Sequence, residues 1–282
     1  MNINLAIVNR AKAGEALTAA ELDELATADV LSLGMLADEV RRARVGDTVT
    51  YTQDAESRLT TLPATLADAA ARVREAKASH SPVVGYSLAD VIDRNWGPLA
   101  DVLKQLKSAG LDAIAEAPVD RMADLAAALR AAQDAGLAVR CLSLHKPTMG
   151  ERTDFLLTLR AITSQFPAIQ TVAPLPREQS IAVPTTGYDD MRAVALARLA
   201  LPSVKNIQVD WAQYGPKLAQ VALTFGANDL DRVSTVDDPA LGKRRTSVED
   251  VRRNIAAAGF TAIERSFDSE WGETPPPGSG LT

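Results

Sequence analysis

The chain has 282 residues, 46% hydrophobic and 23% charged, which is enough to bury a sizeable core in one or two domains. A net charge of −6 argues against a general nucleic-acid surface, and no apolar run approaches the ~20 residues that would cross a bilayer. The single cysteine, Cys141, excludes an internal disulfide framework and suits a reducing compartment; with no basic stretch or cleavage site near Met1, a cytoplasmic protein is expected.

Residues 1–47 read as a helical segment. Thr18 followed by Glu21 is a capping-box pattern, and Leu22, Leu25, Val30, Leu33, Met35 and Leu36 supply an interrupted apolar face. Thr48 to Thr52 is β-branched and aromatic and reads as a strand. Helices and strands then alternate. Helices are predicted over 66–77, 98–109, 121–135, 152–165, 188–199, 217–225 and 247–258. Strands are predicted over 82–86, 111–115, 137–144, 169–173 and 207–211, with a short one near 232–235. Asn228-Asp229 reads as a helix-exit turn, and Gly259 as a C-cap.

Strands separated by single helices imply right-handed βαβ units in a parallel sheet. Six or seven such units over 48–267 favour a partial or shortened (β/α) barrel of TIM type, and no dinucleotide-type glycine turn is present. The tail 268–282, which contains Thr-Pro-Pro-Pro-Gly-Ser-Gly, is expected to be disordered.

Three stretches carry a resemblance. Residues 206–230 (NIQVDWAQYGPKLAQVALTFGANDL), 150–160 (GERTDFLLTLR) and 102–112 (VLKQLKSAGLD) are similar to the radical-SAM family of aminofutalosine synthase, cyclic dehypoxanthine futalosine synthase and the deazaflavin-precursor synthase. The first two act in menaquinone biosynthesis. The resemblance implies a Cys-x-x-x-Cys-x-x-Cys loop after the first barrel strand, holding a [4Fe–4S] cluster that cleaves S-adenosylmethionine. Here Thr48 to Thr52 runs into Gln53-Asp54-Ala55-Glu56-Ser57 without a cysteine, as if the chain passed from the family's first strand to its third βα unit. One thiolate does not hold such a cluster, so none is expected, and the resemblance leaves S-adenosylmethionine binding open.

In βα barrels, ligands sit at the C-terminal ends of the strands. That rule selects Tyr86 and Ser87, Glu116, His145, Arg177, and Asp210 with Trp211; Pro184, Thr185 and Thr186 precede a helix whose N-terminus suits an anion. His145 falls where the family has Tyr-Gly-His-x-Glu, with Pro147 in the glutamate's place, and is the candidate general base. Glu116 and Asp210 form a candidate acidic pair for acid–base chemistry, and Tyr86, Ser87, Arg177 and Trp211 are candidate ligand contacts. His80 reads as structural, Asp237-Asp238 and Lys243-Arg244-Arg245 as solvated, and no metal site is expected.

The expected function is therefore that of a cluster-free, radical-SAM-like pseudoenzyme. It would bind a small molecule of the futalosine-pathway type or serve an intact radical-SAM homologue as an accessory subunit. The alternative is a non-radical lyase, hydrolase or isomerase using His145 and the acidic residues. A missing strand leaves sheet edges, which also makes a homodimer an expectation.

Overall fold

The computed structural model describes residues 3–53, 58–146, 152–178, 185–233 and 248–265. Three helices come first: α1 (Leu5–Lys12), α2 (Ala19–Thr27) and α3 (Val30–Val45). The capping box of α2 is present, since the Glu21 amide donates to Thr18 Oγ1 at 3.3 Å and the Thr18 amide donates to Glu21 Oε2 at 2.7 Å. The apolar face is interrupted because α2 ends at the extended Ala28 and Asp29 starts α3, its carboxylate accepting from the Ser32 amide. Leu22, Leu25 and Leu33 are buried as the spacing requires, whereas Met35 is 74% exposed. Where α3 meets the end of a later helix, a Cβ on Gly34 would stand 2.5 Å from the Phe225 ring, so glycine permits that approach.

The barrel follows. Its strands are β1 (Thr48–Gln53), β2 (Arg58–Leu59), β3 (Val84–Ser87), β4 (Ala113–Pro118), β5 (Ala138–Val139), β6 (Leu142–Leu144), β7 (Thr171–Pro176), β8 (Asn206–Asp210), β9 (Asp229–Val233) and β10 (Thr261–Glu264). Its helices are α4 (Leu66–Ser79), α5 (Leu88–Asp93), α6 (Leu99–Ala109), α7 (Leu125–Asp134), α8 (Arg152–Gln165), α9 (Gly187–Ala200), α10 (Trp211–Leu223) and α11 (Val248–Ala257). The strands pair in the order β10-β1-β9-β8-β7-β6-β4-β3-β2, with β5 added to β4, and every ladder is parallel. The sheet curls far enough for Arg58 on β2 to bond Asp231 on β9 at 3.0 Å. This is the partial βα barrel expected, with β10 lying on the free side of β1.

Several boundaries differ from the sequence reading. The strand expected over 137–144 is split into β5 and β6, which pair different stretches of β4. The helix read from 217 begins at Trp211, with a break at Gly215 (φ 74°, ψ 168°) that accommodates Pro216. Asn228-Asp229 is not an exit turn: Asn228 is buried, its carbonyl accepting from the Thr50 amide, and Asp229 opens β9. Elements β2, α5 and β10 were not read at all. The tail 268–282, Asp237-Asp238 and Lys243-Arg244-Arg245 lie outside the described residues.

The helices bury one contiguous apolar core against the outside of the sheet, and it takes in α1–α3. Arg198 of α9 is fully buried and donates to Gly226 O at 2.8 Å, Lys205 O at 3.1 Å and Asn228 Oδ1, tying α9 to the starts of β8 and β9. Burial, with Arg44 and Arg41 nearby, pulls its guanidinium down to about 9.

Candidate functional site

The C-terminal ends of the strands converge on Arg177, which follows β7. Its Nε donates to Glu116 Oε2 at 3.2 Å and its Nη1 to Asp210 Oδ2 at 3.0 Å. Asp210 Oδ2 also accepts from Arg232 at 3.1 Å, while Oδ1 caps α10 by accepting from the Gln213 amide at 2.9 Å. The two carboxylates read as an acid–base pair do come together, but with a guanidinium between them. Burial acts to lower the Arg177 guanidinium, and Glu116 and Asp210 outweigh it, holding it above its ordinary value.

A second set of ion pairs lies on β9, where Asp231 is in register with Asp210 and Asp229 with Gln208. Asp231 is bound by Arg58, and Asp229 takes two bonds from Arg265 at 2.9 and 2.8 Å with one from Gln208 at 2.6 Å. Burial acts to raise the Asp231 carboxyl, and Arg58, Arg177 and Arg265 hold it below the ordinary value. The sequence reading missed this set. A signal was present: Asp229 and Asp231 are two apart on one strand and so share a face. Reading Asn228-Asp229 as a turn concealed it.

His145 follows β6, and its loop is fixed by Asp120, whose two oxygens accept from the His145 and Lys146 amides at 2.8 Å. The imidazole Nε2 stands 3.2 Å from Glu178 Oε1 and 3.4 Å from Arg121 Nη1. Arg121 is itself held by Asp90 at 2.7 Å and by Asp93. Among the described residues, the other ring nitrogen, Nδ1, is buried without a hydrogen-bond partner, as are Ser87 Oγ at the end of β3 and Ser143 Oγ in β6. Buried polar atoms are nearly always satisfied, so three orphans at the ends of nearby strands call for an explanation. Ser143 had no signal in the sequence. At the rim, Thr60, Thr61, Leu62, Asp90, Asp93 and Arg94 line a groove of about 410 Å³, within the range of small-molecule sites.

Two candidate contacts are not available to a ligand. Tyr86 (φ 58°) is buried, and its hydroxyl donates to Ala69 O of α4 at 3.3 Å. Trp211 is fully buried and packs in the core, leaving no face for stacking. The N-terminus of α9 does not await an anion either. Thr186 and Asp189 close a capping box there, so a carboxylate already occupies it. Pro184 lies outside the described residues.

Cys141 is buried, and its thiol is pushed up to about 12 by that burial. One buried, protonated thiol does not fit the donor set of an iron–sulfur cluster, which takes several thiolates. Among the described residues, no three His, Cys, Asp or Glu side chains gather where they would hold a metal ion, and no helix is long and apolar enough to cross a membrane.

Residues 162–277 match the CofH/MqnC C-terminal region. The chain is 32% identical, over 200 aligned residues, to 5-amino-6-(D-ribitylamino)uracil–L-tyrosine 4-hydroxyphenyl transferase 2 of Methanosarcina barkeri, a match covering 58% of this chain and 52% of that protein. It is 33% identical over 160 residues to aminodeoxyfutalosine synthase of Thermus thermophilus, covering 48% and 43% respectively. The chain thus spans about half the length of the curated relatives it matches. Methylornithine synthase (PylB) superposes with a TM-score of 0.68 at 14% identity, over 91% of this chain and 97% of that one. The hydrogenase maturase HydG of Carboxydothermus hydrogenoformans gives 0.58 at 13%, over 92% and 78%. At such identities these two likenesses are of fold.

Proposed function

We propose that this chain, similar over residues 162–277 to the CofH/MqnC C-terminal region, is a cluster-free relative of radical-SAM enzymes, binding a small hydrogen-bonding molecule at its barrel mouth without generating a radical. The observation that carries this is a group of three polar atoms that are buried and unpartnered among the described residues: Ser87 Oγ, Ser143 Oγ and His145 Nδ1. Leaving a buried hydroxyl or ring nitrogen unmet costs about 1–3 kcal/mol, which a ligand supplying partners would recover. The groove at the rim is linked to His145 through Asp90 and Asp93, which hold Arg121, which in turn reaches the imidazole.

The absence of a cluster rests on the donor set. The loop after β1 has no cysteine, and Cys141 is buried with a raised pKa. In space, the strand on the free side of β1 is β10, from the far end of the barrel, rather than one formed by the residues that follow β1. Where the resemblance implies a cluster, this chain offers no thiolate set, which favours a role in binding and orientation.

The ligand class follows from relatives whose names specify a ribityl pyrimidine, tyrosine and a futalosine. Hydroxylated and carbonyl-rich molecules of that kind suit a wall of hydroxyls, imidazole and guanidinium. The test is a thermal-shift titration with S-adenosylmethionine, aminofutalosine, dehypoxanthine futalosine and 5-amino-6-(D-ribitylamino)uracil. A ligand at about 100 times its dissociation constant stabilises the fold by about 2.7 kcal/mol. Ser87→Ala and His145→Ala should abolish the shift while keeping the unliganded midpoint. No shift with any compound would defeat the binding reading and favour the accessory-subunit role, tested by co-purification with an intact radical-SAM homologue.

One observation favours a second reading, a non-radical enzyme. His145 Nε2 faces Glu178 at 3.2 Å, and an imidazole oriented by a carboxylate is suited to act as a general base. Turnover of a bound compound that is lost in His145→Ala while binding persists would establish it.

A further inference from the structure

Asp120 and Arg121, consecutive residues just after β4, hold His145 in two different ways. Asp120 fixes its backbone. The His145 and Lys146 amides donate to the two carboxylate oxygens, and the His145 carbonyl accepts from the Glu178 amide at 2.8 Å. With the backbone held on both sides, the ring is the part left to be placed. Arg121 reaches that ring, its Nη1 lying 3.4 Å from Nε2. The guanidinium is itself pinned, by Asp90 at 2.7 Å and by Asp93. Both carboxylates sit on α5, which Leu88 and Val91 anchor in the core.

Nε2 has two neighbours that ask opposite things of it. An arginine only donates, so Arg121 calls for a lone pair on Nε2. A carboxylate only accepts, so Glu178 Oε1, 3.2 Å away, calls for a hydrogen there. A neutral ring satisfies one of them. Exposure decides. Glu178 is 58% exposed and its pull is screened by water, whereas Arg121 is 25% exposed and held from behind by two carboxylates. A guanidinium also stays charged, so a protonated ring would set two cations together. We propose that Arg121 is a positioning residue of the candidate site, holding the His145 ring in its Nδ1–H form so that this N–H is the donor offered to a ligand. Nδ1 is the ring nitrogen left without a partner among the described residues. The inference rests on the reading of a bound hydrogen-bonding molecule and names its class. Such a ligand meets His145 with an acceptor, a carbonyl or carboxylate oxygen, and not with the hydrogen of an amine. The hydroxyls of Ser87 and Ser143 donate or accept equally and impose no such choice.

The chain has two histidines, so nuclear magnetic resonance of the full chain labelled with nitrogen-15 at histidine gives two sets of ring signals, and His145→Ala assigns them. Spectra are recorded as pH is raised until the ring signals stop moving. The His145 ring is expected to carry its hydrogen on Nδ1 and a lone pair on Nε2. In Arg121→Met the ratio of the Nδ1–H to the Nε2–H form should fall about tenfold or more, as for the loss of one hydrogen bond to a charged donor. Glu178→Gln should leave the Nδ1–H form in place. A hydrogen on Nε2 in the wild type overturns the proposal and favours the general-base reading instead. An unchanged ratio in Arg121→Met, or a reversal in Glu178→Gln, overturns it too. If Arg121→Met does not fold, the wild type and Glu178→Gln decide. These spectra need no ligand, so failure of the binding reading, seen as the absence of any thermal shift, is a separate result.

Discussion

Arg177→Met removes the guanidinium that joins β4, β7 and β8 while keeping most of the side chain's length. Arg177 is 9% exposed at its side chain, Asp210 1% and Glu116 19%, so both bridges are largely desolvated. Breaking a buried pair by deleting one partner costs about 3–5 kcal/mol, because the other charge stays behind. The lower end applies here, since Asp210 keeps Arg232 and the Gln213 amide and Glu116 has some access to water. A loss of about 3 kcal/mol corresponds to a fall of roughly 6–12 °C in the midpoint for a chain of this size. Urea unfolding followed by circular dichroism at neutral pH gives the value directly. Adding Glu116→Gln to Arg177→Met should restore about 1 kcal/mol, because the stranded charge is then gone. A single variant within 1 kcal/mol of wild type would refute the reasoning, for it would mean that water reaches these carboxylates and the network is not a buried one.

Other outcomes follow from features nearby. Cys141 should resist iodoacetamide at pH 8 until the protein is unfolded, because its folded value is about 12 against 9.0 for a free thiol. The stability it contributes is complete below the free value and is lost as pH rises towards the folded one; labelling of the native protein at the unfolded rate would contradict the burial. Asp231 contributes stability that is complete above its ordinary value of 3.8 and is lost as pH falls through the lower folded value. Asp231→Asn should therefore be less stable at neutral pH and show a flatter acid limb in a pH series of urea midpoints. Arg198→Met removes the donor that bonds Gly226 O and Lys205 O and one of the two donors to Asn228 Oδ1, which keeps the Ile207 amide, so a loss of about 2–3 kcal/mol is expected by the same unfolding assay. Gly34→Ala pushes a methyl group against the Phe225 ring and should cost about 1–3 kcal/mol in the same unfolding assay.

The parts of this fold that the sequence exposed are those governed by local rules. Periodicity located α8 to the residue, and the Thr18–Glu21 spacing marked the start of α2. The parts it hid depend on partners remote along the chain. Two residues, Arg58 and Leu59, cannot show a strand period, and β10 alternates weakly because it is only partly buried. The same distinction holds for the site. Ser87, Glu116, His145, Arg177 and Asp210 were visible because strand ends are where barrels present side chains. That Arg177 would neutralise the acidic pair was not visible, since residues on three strands meet only through the curl of the sheet. Tyr86 and Trp211 went astray for a related reason. Both follow the strand-end rule, yet Tyr86 has positive φ and Trp211 turns into the core as α10 begins, and neither departure is marked in the sequence.

The placement of β10 has a consequence for how the chain is made. Tyr51 of β1 and Glu264 of β10 are bonded across 213 residues. At ~5–20 residues per second, β1 leaves the ribosome about 10–40 s before the strand that covers its outer edge exists. Through that interval the edge, with Val49 and Tyr51 beside it, is open to other nascent chains, and unpaired strand edges are templates for aggregation. Covering of that edge is therefore a late event of biosynthesis, and truncation before Thr261 should yield a chain that depends on chaperones to stay in solution.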